Sequence, residues 1–203
     1  MDKDWTGNKQ STFVQLGATS HSRTGERAES DYYATDPDSL QIFLYALARD
    51  NITLNRNIWE CAAGDGVLSR VLKRYGYTVR SSDIYQRGFR DNEIIDFLEC
   101  DEKWEGDILT NPPYSLAQPF VEKALDVIKE GNKVIMYLHL QFLETKARRE
   151  LFDVAPPKYI YINSARQACY KNGDTSRKLS SAVCYCWFIW EKGYQGDPII
   201  KWV

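Results

Sequence analysis

Residues 57–76 read Asn-Ile-Trp-Glu-Cys-Ala-Ala-Gly-Asp-Gly-Val-Leu-Ser-Arg-Val-Leu-Lys-Arg-Tyr-Gly, and the fold follows from them. Ile58 to Cys61 forms an apolar strand that runs into a turn built on Gly64 and Gly66. A helix follows, with Val67, Leu68, Val71, Leu72 and Tyr75 on one face, and Gly76 stops it. A strand, a glycine turn and a helix in that order open an α/β unit. Glycines in such a turn let the backbone approach a ligand closely. A nicotinamide dinucleotide site calls for a third glycine, and Ser69 stands in its place. Glu60, at the strand end before Ala62 and the glycines, offers a carboxylate to an ammonium group.

Downstream the plan repeats. Thr78 to Tyr85 reads as a strand ending in Asp83, about 20 residues past the glycine turn, where an acid is placed to hold ribose hydroxyls. Ile84 follows at the same tip. Ile94-Ile95-Asp96-Phe97-Leu98 sets an acid beside an aromatic ring, a pair suited to a planar base. Asp107 to Thr110 is a third apolar run, and it stops at Asn111-Pro112-Pro113-Tyr114. Two prolines in succession continue neither a strand ladder nor a helix. They leave an amide and an aromatic ring on a stiff strand tip. The Asn111 side-chain oxygen and the Pro112 carbonyl can accept the two N–H groups of an amine while Tyr114 stacks on a base. An ordinary Asn-Pro turn is the plain alternative.

The whole chain alternates in the same way. A helix is expected from Asp36 or Asp38 to about Arg49, with Pro37 in its first turn. Further helices are expected at about 116–129, capped by Ser115, and 143–153. Strands are expected near 58–61, 79–83, 94–98, 107–110, 133–140, 158–163 and 182–191. The fold class is therefore α/β: a seven-stranded, mostly parallel sheet with helices on both faces and a C-terminal antiparallel hairpin strand. Residues 1–29, rich in Ser, Thr, Gly and charge, read as a flexible arm, and residues 30–203 as one domain.

Composition fits a globular enzyme. Of 203 residues 43% are hydrophobic, and no apolar run approaches the length of a membrane helix. The five cysteines lack paired Cys-x-x-Cys spacing, as expected for a reducing cytoplasm. Neither the cysteines nor His21 and His139 form a metal-ligand set. Net charge is −2, yet Lys158, Arg166, Lys171, Arg177 and Lys178 face one acid, Asp174. That basic stretch, near 163–180, is expected to grip phosphates on the substrate side.

Taken together, Glu60-x-x-x-Gly64-x-Gly66, Asp83, Asp96-Phe97 and Asn111-Pro112-Pro113-Tyr114 resemble the motifs of S-adenosylmethionine-dependent amino-methyltransferases. The likeness is greatest to small phage and prophage DNA adenine-N6 methyltransferases. Asp31-Tyr32-Tyr33-Ala34-Thr35-Asp36-Pro37 resembles the family's N-terminal motif, and Trp187 to Tyr194 its last hairpin, so the resemblance spans about residues 30–203. It implies S-adenosylmethionine as cofactor, held by Tyr32, Tyr33, Thr35, Glu60, Ala62, Gly64, Gly66, Asp83, Ile84, Asp96, Phe97 and Asn111. Asn111, Pro112, Pro113 and Tyr114 would act on the substrate amine, with Tyr114, Arg166, Lys171, Arg177 and Lys178 binding the substrate. The implied partner is nucleic acid, DNA first, with the target base flipped out of its stack. The chain has little room for a target-recognition domain, so a specificity partner or a homo-oligomer is expected. RNA adenine, a protein glutamine amide, or an inactive nucleic-acid-binding module of the same fold stand as alternatives.

Overall fold

In the computed structural model, the described residues are 33–164, 170–171 and 183–203. A helix α1 (Pro37–Arg49) precedes the sheet. Asp36 caps it by accepting the Asp38 N–H at 3.0 Å, and Pro37 occupies the first helical position. Strand β2 (Asn57–Glu60), helix α2 (Val67–Arg74), β3 (Thr78–Asp83) and β4 (Asn92–Ile94) follow. Then come β5 (Asp107–Thr110), a 3-10 turn (Tyr114–Leu116) leading into α3 (Ala117–Val127), and β6 (Lys133–His139). A second 3-10 turn (Leu140–Leu143) precedes α4 (Lys146–Val154), after which run β7 (Tyr159–Ile162), β9 (Tyr185–Glu191) and β10 (Ile199–Trp202). Two short strands, β1 (Tyr33–Ala34) and β8 (Tyr170–Lys171), pair antiparallel apart from the main sheet.

The main sheet has eight strands in the order β10-β7-β9-β6-β5-β2-β3-β4. Strand β9 inserts antiparallel between β6 and β7, and the other pairings are parallel. The sequence expects seven strands; the eighth is β10, at the edge beside β7. The strand expected at 94–98 also lies earlier, at 92–94. Ser115 does not cap α3; the chain enters that helix through the 3-10 turn, and Leu116 takes the capping position without a side-chain bond.

Strand residues alternate between two apolar layers. Ile58, Leu109, Ile135, Tyr137, Trp187 and Ile189 face α1 and α2, which contribute Leu40, Phe43, Leu47, Leu68, Val71 and Leu72. Trp59, Ile108, Val134, Met136, Phe188 and Trp190 face α3, which contributes Phe120, Val121, Ala124 and Val127. Both faces of the central strands are thus buried, which is why Val134 to Leu138 is a continuous apolar run. Asp107, 1% exposed, fastens the opposite end of the sheet by accepting the Asn55 and Lys133 N–H groups at 2.7 and 2.8 Å. Asp50, after α1, binds the Tyr161 hydroxyl at 2.6 Å and Lys201 at 3.1 Å, tying the helix to β7 and the edge strand. Among the described residues no helix is long and apolar enough to cross a membrane.

Candidate active site

Parallel pairing sends the tips of β2, β3 and β5 to one edge of the sheet, so Glu60, Asp83 and Asn111 converge there. In open α/β sheets ligands bind at that edge. An open cleft of about 880 Å³, its mouth included, lies over the three tips. Thr35, Glu60, Ala62, Asp83, Ile84, Asp96, Phe97 and Asn111 all line it, as do Pro112 and Pro113. Cys61, Asp65, Tyr85, Arg87, Leu98 and Phe120 line it as well, and no sequence motif marks most of these.

Glu60 is 1% exposed and accepts a hydrogen bond from the Ser69 hydroxyl, which lies 2.5 Å from the Ser81 hydroxyl. Ser69, where a nicotinamide site has glycine, is thus a buried partner of the acid. Burial, reinforced by the charges of Asp65 and Asp83, pushes the Glu60 carboxyl up to about 8. A carboxyl raised in this way is mostly protonated at pH 7, and a cation beside it would favour the ionised form.

Asp83, 8% exposed, accepts the Gly64 N–H at 2.8 Å and the Tyr85 N–H at 2.9 Å. It braces the glycine turn against the β3 tip, and each oxygen has capacity for a further hydrogen bond. Gly64 and Gly66 adopt left-handed backbones, with φ of 57° and 79°. Neither glycine is among the residues that line the cleft, and the bare face of Gly66 is packed against the Phe89 ring, where a methyl group would overlap the ring. Gly66 starts α2, and its lack of a side chain admits Phe89.

Asp96 is exposed and turns the chain by accepting the Leu98 N–H at 3.0 Å. Phe97, 2% exposed, packs edge-on to Trp59 at 5.2 Å and against Phe120 at 5.3 Å. It is both core and cleft wall.

The Asn111 Nδ2 donates to the Thr35 hydroxyl at 2.8 Å. Thr35 is 5% exposed, so this bond joins the segment before α1 to the tip of β5 in a nearly dry position. It orients the amide with Oδ1 as its acceptor end. The N–H groups of Asp38 and Ser39 at the start of α1 are engaged by Asp36. Tyr114, half-buried, lies beyond Pro113 rather than in the cleft wall. Its ring packs on His139 at 4.2 Å and near Tyr185 at 6.0 Å, and His139 meets Tyr185 at 4.7 Å. His139 ends β6 and Tyr185 begins β9, directly opposite in register.

Tyr32, Arg166, Arg177 and Lys178 lie outside the described residues. Tyr33 and Lys171 are described as backbone positions: they are partners in the β1–β8 pair, which joins the N-terminal segment to the expected basic stretch.

No protein-family model matches the chain, and no curated protein matches it in sequence. Solved structures do match. A proposed RNA methyltransferase of Pyrococcus horikoshii is 16% identical, with a TM-score of 0.60 over 89% of this chain and 98% of that one. A proposed class I S-adenosylmethionine-dependent methyltransferase of Listeria monocytogenes is 14% identical, with a TM-score of 0.59 over 95% and 71%. The methyltransferase subunit of a type I restriction–modification system of Streptococcus thermophilus is 14% identical, with a TM-score of 0.59 over 84% and 47%. The fold is therefore the Rossmann-like fold of class I methyltransferases, with its antiparallel strand near the C-terminal end of the sheet.

Proposed function

We propose that this protein transfers a methyl group from S-adenosylmethionine to an exocyclic amine, adenine N6 in DNA above other substrates. The observation that carries the reading is Asn111, held by Thr35 at the rim of a cleft over the tips of β2, β3 and β5. The cleft residues suit the cofactor. Glu60 is a buried carboxyl suited to pair with an ammonium, Asp83 offers carboxylate oxygens to ribose hydroxyls, and Ile84 and Phe97 offer apolar walls for adenine.

Bound S-adenosylmethionine supplies an electrophilic methyl on a sulfonium. The protein's part is orientation and electrostatics. The lone pair of an adenine amine is delocalised into the ring. Acceptance of its two N–H groups by Asn111 Oδ1 and the Pro112 carbonyl favours a pyramidal nitrogen and stabilises the positive charge that builds there. Tyr114, steadied by His139, stacks on the base.

The test is parallel incubation of the protein and labelled cofactor with DNA, RNA and protein, followed by mass spectrometry of the product. N6-methyladenine in DNA is expected. Label in RNA or on glutamine would move the reading to that polymer, and cofactor binding without transfer to any of the three would leave a binding module.

A further inference from the structure

We propose that the outer face of α2 and the segment 84–91 bind the phosphate backbone of the substrate strand, carrying it away from the cleft. The inference rests on the reading that the substrate is a nucleic acid. Arg70, Lys73 and Arg74 are exposed on α2, which holds no acid between 67 and 74. Arg87 and Arg90 come from the segment that follows β3, and Phe89 fastens that segment to the helix. Its ring fills the space at Gly66 and lies 5.6 Å from both the Arg70 guanidinium and the Lys73 ammonium. Asp91 pairs with Lys73 at 2.7 Å. Arg70, Arg74 and Arg90 form no ion pair among the described residues. Five basic residues, Arg87 only partly exposed, therefore stand with two acids, Asp65 and Asp91, along α2 and the segment 84–91 of a chain whose net charge is −2.

A merely solvated face mixes its signs, as α4 does with its Arg149–Asp153 pair. This face is mostly basic. It is also continuous with the cleft: Arg70 donates to the Asp65 carbonyl at 2.7 Å, and Asp65 and Arg87 both line the cleft. At the rim Tyr85, 49% exposed, carries the Arg87 guanidinium 5.3 Å from its ring. An exposed aromatic beside a cationic track suits an unpaired nucleotide next to the target base.

The experiment uses the full chain and fluorescein-labelled single-stranded DNA, RNA of the same sequence, and duplex DNA, titrated across about 50 to 200 mM KCl. The variant Arg74→Gln/Arg90→Gln is compared with Lys103→Gln/Lys129→Gln, which removes two exposed charges elsewhere. Removing two phosphate contacts lowers the slope of log affinity against log salt by about 1.4 on single strands and about 1.8 on duplex. The patch variant is expected to show that fall, the control variant none, and both to keep wild-type melting temperature and S-adenosylmethionine affinity. The DNA and RNA arms show which polymer supplies the phosphates. A wild-type slope in the patch variant, or an equal fall in the control, overturns the patch while leaving the methyl-transfer reading standing. A wild-type protein that binds no nucleic acid overturns both.

Discussion

Asn111 and Thr35 are 76 positions apart, yet their side chains form one unit. On the sequence Thr35 was assigned to the cofactor and Asn111 to both the cofactor and the substrate amine, with no link between the two side chains. The bond between them changes what substitution does. Asn111→Ala is expected to remove one preorganised acceptor and cost methyl transfer about 2.7–4 kcal/mol, by analogy with the loss of an oxyanion-hole donor. Thr35→Ala is expected to lower turnover as well, by releasing Nδ2 and letting the amide rotate, whereas Thr35→Ser keeps the hydroxyl and most of the rate. In an Asn111→Ala background Thr35→Ala should have little further effect on transfer, since the two act through one group. Single-turnover rates of the four proteins in this cycle give the coupling directly. Strictly additive losses would separate the two residues.

Among the elements, the glycine turn was legible because its signals are local: an apolar strand, two glycines and an amphipathic helix within 20 residues. Strand β4 was misplaced for a physical reason. Ile94 to Leu98 has the composition of a strand, but the Ile95 N–H bonds back to the Asp83 carbonyl at 3.1 Å and Asp96 turns the chain, so Phe97 swings into the core. Strand β10 escaped notice because Ile199, Ile200 and Trp202 are 45–59% exposed and the strand is held by non-local contacts, its pairing with β7 and the Lys201–Asp50 bond. The purpose of Gly66 was also hidden, since Phe89 lies 23 positions away. Gly66→Ala is expected to destabilise by roughly 1–2 kcal/mol through its left-handed backbone alone, and further through overlap with Phe89. Combined with Phe89→Ala, the overlap disappears and the two losses should sum to more than the double variant shows. Melting temperatures of the three variants test this, and full additivity would mean that the ring is not what excludes a side chain at 66.

For the whole molecule, what could be read in advance was the set of strand tips, and what could not was how distant strands bring side chains together. Tyr114, His139 and Tyr185 meet only because β9 inserts antiparallel beside β6, a non-local pairing that no short pattern announces. Glu60 was visible at its tip, but its protonation depends on burial by the whole core, and that makes stability a readout of the site. Its carboxyl stands at about 8 in the fold against an ordinary value of 4.5. A raised folded value means that the native state holds a proton the unfolded chain gives up. The stabilisation is complete below pH 4.5 and declines by about 1.4 kcal/mol per pH unit until pH passes about 8. Without ligand, the melting temperature should fall as pH rises from 5 to 8 by this contribution, and Glu60→Gln should flatten the fall. On the proposed reading the S-adenosylmethionine ammonium lies beside Glu60 and favours the ionised carboxyl, so binding near pH 7 should release a proton, which calorimetry in buffers of different ionisation enthalpy detects. At about 100 times its dissociation constant the ligand adds roughly 2.7 kcal/mol, or roughly 5–10 °C for a chain of this size. The shift should shrink in Glu60→Gln, and NAD should produce none. A wild-type cofactor shift with no proton release would place the ammonium away from Glu60 and move the acid from the binding site to the core.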